Sequence, residues 1–122
     1  MRKKLVLLAD DEQGAVALLA ATLDDQRYEM LLAGDGEEAL AIARREKPNL
    51  VLLGGLLPKR DSYEVCRALK EDSATAQIKV MMLAALAEES GEEKARQAGV
   101  DSYFPNLFSR TALLERVEEL LD

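Results

Sequence analysis

Two kinds of apolar pattern alternate along the chain. Short aliphatic runs, "KLVLLA" at Lys4–Ala9, "YEMLLA" at Tyr28–Ala33, "NLVLL" at Asn49–Leu53, "IKVMMLAAL" from Ile78 and "VDSYF" from Val100, read as strands β1 to β5. Between and after them the apolar positions fall three and four apart, the period of a helix with one buried face. "QGAVALLAATL" predicts α1 over Gln13–Leu23, with Val16, Leu19, Ala20 and Leu23 in register. "DGEEALAIARREKP" predicts α2, opened by a capping box of Asp35 and Glu38 and stopped by Pro48. "DSYEVCRALKED" repeats the device in α3, with Asp61 three residues before Glu64 and an end near Asp72. "EESGEEKARQAG" predicts an acidic α4 closed by Gly99, and α5 starts near an N-cap at Ser109 and carries Leu113, Leu114, Val117, Leu120 and Leu121.

Strands that are apolar at nearly every position must be covered on both faces, so the alternation implies an α/β protein with a parallel sheet between two helix layers. Right-handed crossovers leave few ways to connect it. No repeat, linker or second domain interrupts the pattern, and residues 1–122 are expected to form a single domain.

Composition narrows the function classes. Hydrophobic residues make up 48% and charged residues 32% of the 122, the balance of a soluble globular protein. Twenty-three acids against sixteen bases give a net charge of −7, which repels a nucleic-acid backbone. No apolar run approaches the roughly 18 residues of a membrane span, and the Met1–Asp10 start is too short for a secretory signal, so a cytoplasmic protein is expected. Histidine is absent, which removes the usual imidazole base and metal ligand. The lone Cys66, beside Val65 and Leu69 in α3, reads as a buried thiol with no disulfide partner.

Several segments at their proper spacing, "ADDE" after β1, "GDGEEALAIARREKPNLVLL", "LLPKRDSYEVCRALKED" and "SYFPNLF", together resemble the receiver domain of two-component response regulators over essentially the whole chain. The resemblance implies a flavodoxin-like (CheY-like) five-stranded parallel sheet of order 2-1-3-4-5 with helices on both faces. It also implies a reaction. An aspartate ending β3 accepts a phosphoryl group, two acids after β1 hold Mg²⁺, and a Thr or Ser ending β4 and a Lys after β5 grip the phosphoryl oxygens.

Laid on that pattern, Asp10 and Asp11 match the acidic pair, Glu12 follows, and the backbone carbonyl of Leu56 matches the family's third metal ligand. The acceptor position falls on Gly54, the hydroxyl position on Ala84, and the Lys-Pro pair on Asn106-Leu107. Three losses in three segments remove parts of one reaction, so the chain resembles a degenerate, or pseudo-, receiver with no catalytic residue. No cofactor is required on this reading, and Mg²⁺ at Asp10, Asp11 and the Leu56 carbonyl is expected to bind weakly. Tyr103 falls on the switch aromatic of the family and, with Ala84 beneath it, is expected to hold one rotamer.

The resulting expectation is a two-component signalling module that is not an enzyme. It would bind a kinase or an output domain through the face of α4, β5 and α5, independently of phosphate, and the same face offers a route to a homodimer. The acidic run "EESGEEK" of α4 otherwise reads as a solvated face, with Gly91 weakening the helix by roughly 1 kcal/mol. Two alternatives stand beside this expectation. One is an active receiver phosphorylated on a surrogate carboxylate, Asp10, Asp11 or Asp61; the other is an engineered or inactivated scaffold. At the residue level, Gly54-Gly55 also admits a plainer explanation, a tight turn that needs positive φ.

Overall fold

Five parallel strands form one sheet in the order β2-β1-β3-β4-β5 in the computed structural model. The structure describes residues 4–10, 28–54, 59, 61–83, 91–104 and 110–121. The strands are β1 Lys4–Ala9, β2 Tyr28–Ala33, β3 Leu50–Gly54, β4 Lys79–Leu83 and β5 Ser102–Phe104. The helices are α2 Gly36–Glu46, α3 Ser62–Glu71, α4 Gly91–Ala98 and α5 Arg110–Leu121. The segment expected to form α1 lies outside the described residues, as does the Ser109 expected to cap α5.

Each central strand divides its side chains between two cores, because successive residues of a strand point to opposite faces. Leu7, Val51, Leu53 and Val80 pack with Leu40 of α2 and Val65, Cys66 and Leu69 of α3. Val6, Leu8, Leu52, Met81 and Leu83 pack on the other face with Phe104 and with Leu113 and Val117 of α5. Every residue of β3 is buried, as a strand enclosed by helices on both sides must be. The flavodoxin-like reading of the sequence is therefore the observed fold.

The helix boundaries follow local chemistry. Asp35 is the N-cap of α2 and accepts from the Glu38 amide at 2.8 Å. The reciprocal half of the box shifts by one residue: Glu38 Oε1 accepts from the Gly34 amide at 3.1 Å. Lys47 closes α2 in the left-handed region, φ 48 and ψ 63, directly before Pro48. Gly99, at φ 92, ends α4, with its amide on the Arg96 carbonyl and the Val100 amide on that of Ala95. These two bonds make a Schellman motif.

That motif explains why β5 begins at Ser102 instead of Val100. The Val100 amide is taken by α4, and Asp101 joins the sheet partly through its side chain: Oδ2 accepts from the Val80 amide at 2.8 Å and from Lys70 Nζ at 2.7 Å. Similarly β4 starts at Lys79, since the Ile78 amide closes a turn on the Thr75 carbonyl. At the same end of the sheet Asn49 Oδ1 accepts from the Leu5 amide at 2.8 Å, tying β3 to β1 ahead of their paired residues.

Candidate functional site

The strand order reverses direction at β1 and β3: β1 is followed outward by β2, and β3 by β4. Ligands of open α/β sheets bind in the crevice outside the carboxyl ends at such a point. Asp10 and Gly54 stand there. Ala9 pairs with Leu53 in the last pair of the β1/β3 ladder, so Asp10 and Gly54 are each one residue further along neighbouring strands. By the two-residue alternation both are aligned with Leu8 and Leu52 and address the same face.

The Asp10 side chain lies against Gly54. A Cβ built on Gly54 would overlap Asp10 Oδ2 and stand 2.9 Å from its Cγ and 3.3 Å from its Cβ. Asp10 is only 8% exposed, and its amide donates to the Ala33 carbonyl at 3.1 Å. Gly54 itself is an ordinary strand residue paired with Leu83, and among the described glycines only Gly99 has positive φ. The turn explanation is thus corrected for Gly54, which does not have positive φ and instead has the Asp10 carboxylate lying beside it. Gly55 lies outside the described residues.

Two neighbours of this strand end carry no signal in the sequence. Ser62, buried at the start of α3, donates from its hydroxyl to the Gly54 carbonyl at 3.2 Å. Only its position directly after the Asp61 cap hinted at anything, and that says nothing of which carbonyl it reaches. Lys59, left-handed at φ 68, places Nζ 3.5 Å from Asp35 Oδ2 and so joins the segment after β3 to the start of α2. The Glu38 amide bond, aided by Lys59 and opposed by partial burial, holds the Asp35 carboxyl below its ordinary pKa.

The remaining candidates divide clearly. Asp11, Leu56, Ala84, Asn106 and Leu107 lie outside the described residues. Asp61 caps α3, accepting from the Glu64 amide at 2.8 Å. Tyr103 is half-buried opposite Met82 on β5 and points away from the face that Phe104 shares with α5. On that α5 face Arg116 Nη1 donates to Ser102 Oγ at 2.7 Å and its guanidinium stands 5.7 Å from the centre of the Phe104 ring. Of the oxygen ligands expected for Mg²⁺ only Asp10 is described, and its carboxylate is turned onto Gly54. Among the described residues no cluster of three acidic, His or Cys side chains could hold a metal ion.

The sequence profile of the response regulator receiver domain matches residues 6–118. The chain belongs to the receiver family. This receiver is 38% identical over 121 residues to the alkaline phosphatase synthesis transcriptional regulatory protein PhoP of Bacillus subtilis (strain 168), covering 99% of the chain and 49% of PhoP. It is 37% identical over 121 residues to the probable transcriptional regulator ycf27 of Porphyridium aerugineum, again covering 99% of the chain and 49% of the relative. The receiver thus spans about half the length of these regulators. Among solved structures, a response regulator of Chloroflexus aurantiacus J-10-fl superposes with a TM-score of 0.92 at 28% identity, over 98% of both chains. A CheY-like receiver domain protein of Methanospirillum hungatei JF-1 gives 0.90 at 26% identity, over 99% of this chain and 95% of that one. Among the described residues no helix is long and apolar enough to cross a membrane.

Proposed function

We propose that this receiver of a two-component system is degenerate: it accepts no phosphoryl group, is not an enzyme, and acts as a protein-interaction module. One observation carries the reading. The residue ending β3, where the family's phosphoacceptor falls, is Gly54, and the carboxylate of Asp10 is packed against it. Glycine offers no oxygen to form an acyl phosphate. The sequence adds Ala84 and Asn106 at the positions of the hydroxyl and the lysine that would hold the phosphoryl oxygens. Without them the charge of a phosphoryl group would lack its stabilising partners.

The partner is a kinase or an output domain, met in the cytoplasm through α4, β5 and α5, and a homodimer would use the same face. Arg116 on Ser102 and Phe104 supports this reading, because it ties α5 to β5 as one surface. Mg²⁺ is not required, and binding at Asp10 and Asp11 is weak.

Intact mass after incubation with Mg²⁺ and acetyl phosphate, beside an active receiver as control, tests the proposal. No added phosphoryl group is expected. One added group, mapped to Asp10, Asp11 or Asp61, would overturn it and establish a receiver that signals through a surrogate carboxylate.

A further inference from the structure

We infer that the β2 edge of the sheet is a self-association surface, on which a second copy of this chain pairs its own β2 antiparallel about a two-fold axis at Leu31. The sheet ends in β2 on one side and β5 on the other. Edge strands offer backbone groups to any extended partner unless something blunts them. β5 is blunted by its length of only three residues, Ser102–Phe104. β2 runs for six, Tyr28–Ala33, in unbroken register with β1, so it carries no bulge, and it holds neither proline nor lysine. Its one charge is Glu29. Leu32, 48% exposed, is the exposed large hydrophobic residue among those described, and Met30 and Leu31 beside it are half-buried.

The ladder sets the register of such a pairing. The Ala33 carbonyl accepts from the Asp10 amide, so Ala33, Leu31 and Glu29 turn their backbone groups toward β1. Met30 and Leu32 turn theirs outward, where they meet no partner among the described residues. With Leu31 on the axis, Met30 bonds Leu32 of the second copy and Leu32 bonds its Met30. Leu31 then faces Leu31 of the second copy with about 4.5 Å between Cα atoms, and Glu29 faces Ala33. Apolar residues cover one another on both faces of the joined sheet. The two Glu29 stand about 14 Å apart along the strands, beyond the screening length of about 8 Å. Centring on Met30 would draw them to about 8 Å, and centring on Leu32 would set Glu29 against Asp35. The contact is two-fold and closed, so association stops at a dimer. Because β5 is the far edge, each copy keeps its α4, β5 and α5 surface. The inference thus goes beyond the proposed function, does not rest on it, and is separate from a homodimer through that surface.

Light scattering over a concentration series, joined to disulfide trapping, tests the pairing without any phosphate chemistry. The mass of the unaltered chain is expected to rise from that of a monomer to that of a dimer. With oxidised glutathione as oxidant, Leu31→Cys is expected to cross-link to its copy about tenfold faster than Leu32→Cys, because only position 31 meets itself and the two residues 32 lie beyond the roughly 7 Å that a disulfide spans. The native Cys66 is buried and does not compete. Leu32→Pro removes one outward donor and no bond to β1, and is expected to return the chain to a monomer. A chain that stays monomeric into the millimolar range, assemblies heavier than a dimer, or a dimer that survives Leu32→Pro would overturn the inference. So would a dimer that cross-links no faster at position 31 than at 32, which would send the search for the contact to the α5 side of the molecule.

Discussion

Glycines that resemble one another in the sequence differ in what they tolerate. Gly34 has negative φ and open space where a Cβ would go, whereas Gly99 combines φ 92 with a Cβ position 3.2 Å from Lys70 Cγ. Gly34→Ala is expected to be neutral or to stabilise by about 0.5–1 kcal/mol through the unfolded chain. Gly99→Ala is expected to cost about 1–2 kcal/mol, the steric penalty of a Cβ in the left-handed region. Urea unfolding of the two variants checks both signs, and a costless Gly99→Ala would refute the helix-end geometry. Only the Gly99 result was legible in the sequence, because a glycine just past a helical run is a known end signal. Nothing in the sequence marks Gly54 as the resting place of the Asp10 carboxylate. That depends on the rotamer of Asp10, which no pattern of residue types encodes.

At the scale of elements the readable and unreadable parts separate by range. Asp35 and Asp61 announced α2 and α3 because a cap and the amide it serves lie three residues apart, and both bonds are present at 2.8 Å. The start of β5 was misplaced by two residues because its cause is long-range: Asp101 reaches back to Val80 and across to Lys70, twenty-one and thirty-one residues away. This carboxylate serves a β4 amide and a half-buried ammonium that also donates to the Ile78 carbonyl at 2.8 Å. Asp101→Ala leaves both donors without their acceptor and is expected to cost about 1–3 kcal/mol. Asp101→Asn, which keeps one oxygen, should cost less. Urea midpoints give the ranking, and amide exchange at Val80 should accelerate in the alanine variant, while equal stability of all three proteins would show the junction to be idle.

For the molecule as a whole, the two cores were foreseeable from apolar runs, since β1 and β3 are aliphatic at almost every position and could only be buried on both sides. The same burial sets a pH response. Cys66 lies inside the α3 core with Sγ 3.4 Å from the Ala98 carbonyl, and burial pushes its thiol from 9.0 up to about 11. The folded protein thus keeps a proton that the unfolded chain releases first. Its contribution to stability is complete below pH 9 and is lost as pH rises from there through about 11, by up to about 3 kcal/mol. The stability of the unaltered protein should therefore fall more steeply across that window than that of Cys66→Ala, and parallel urea-unfolding profiles for the two would contradict it. A last consequence concerns descent. A glycine codon lies one or two base changes from an aspartate codon, so at the level of DNA a carboxylate at position 54 is close at hand. On the proposed reading that change restores neither a hydroxyl at Ala84 nor a lysine at Asn106, and any gain waits for further changes at those positions. On that reading the three positions work as a ratchet, which makes silence at this site easier to keep than to leave.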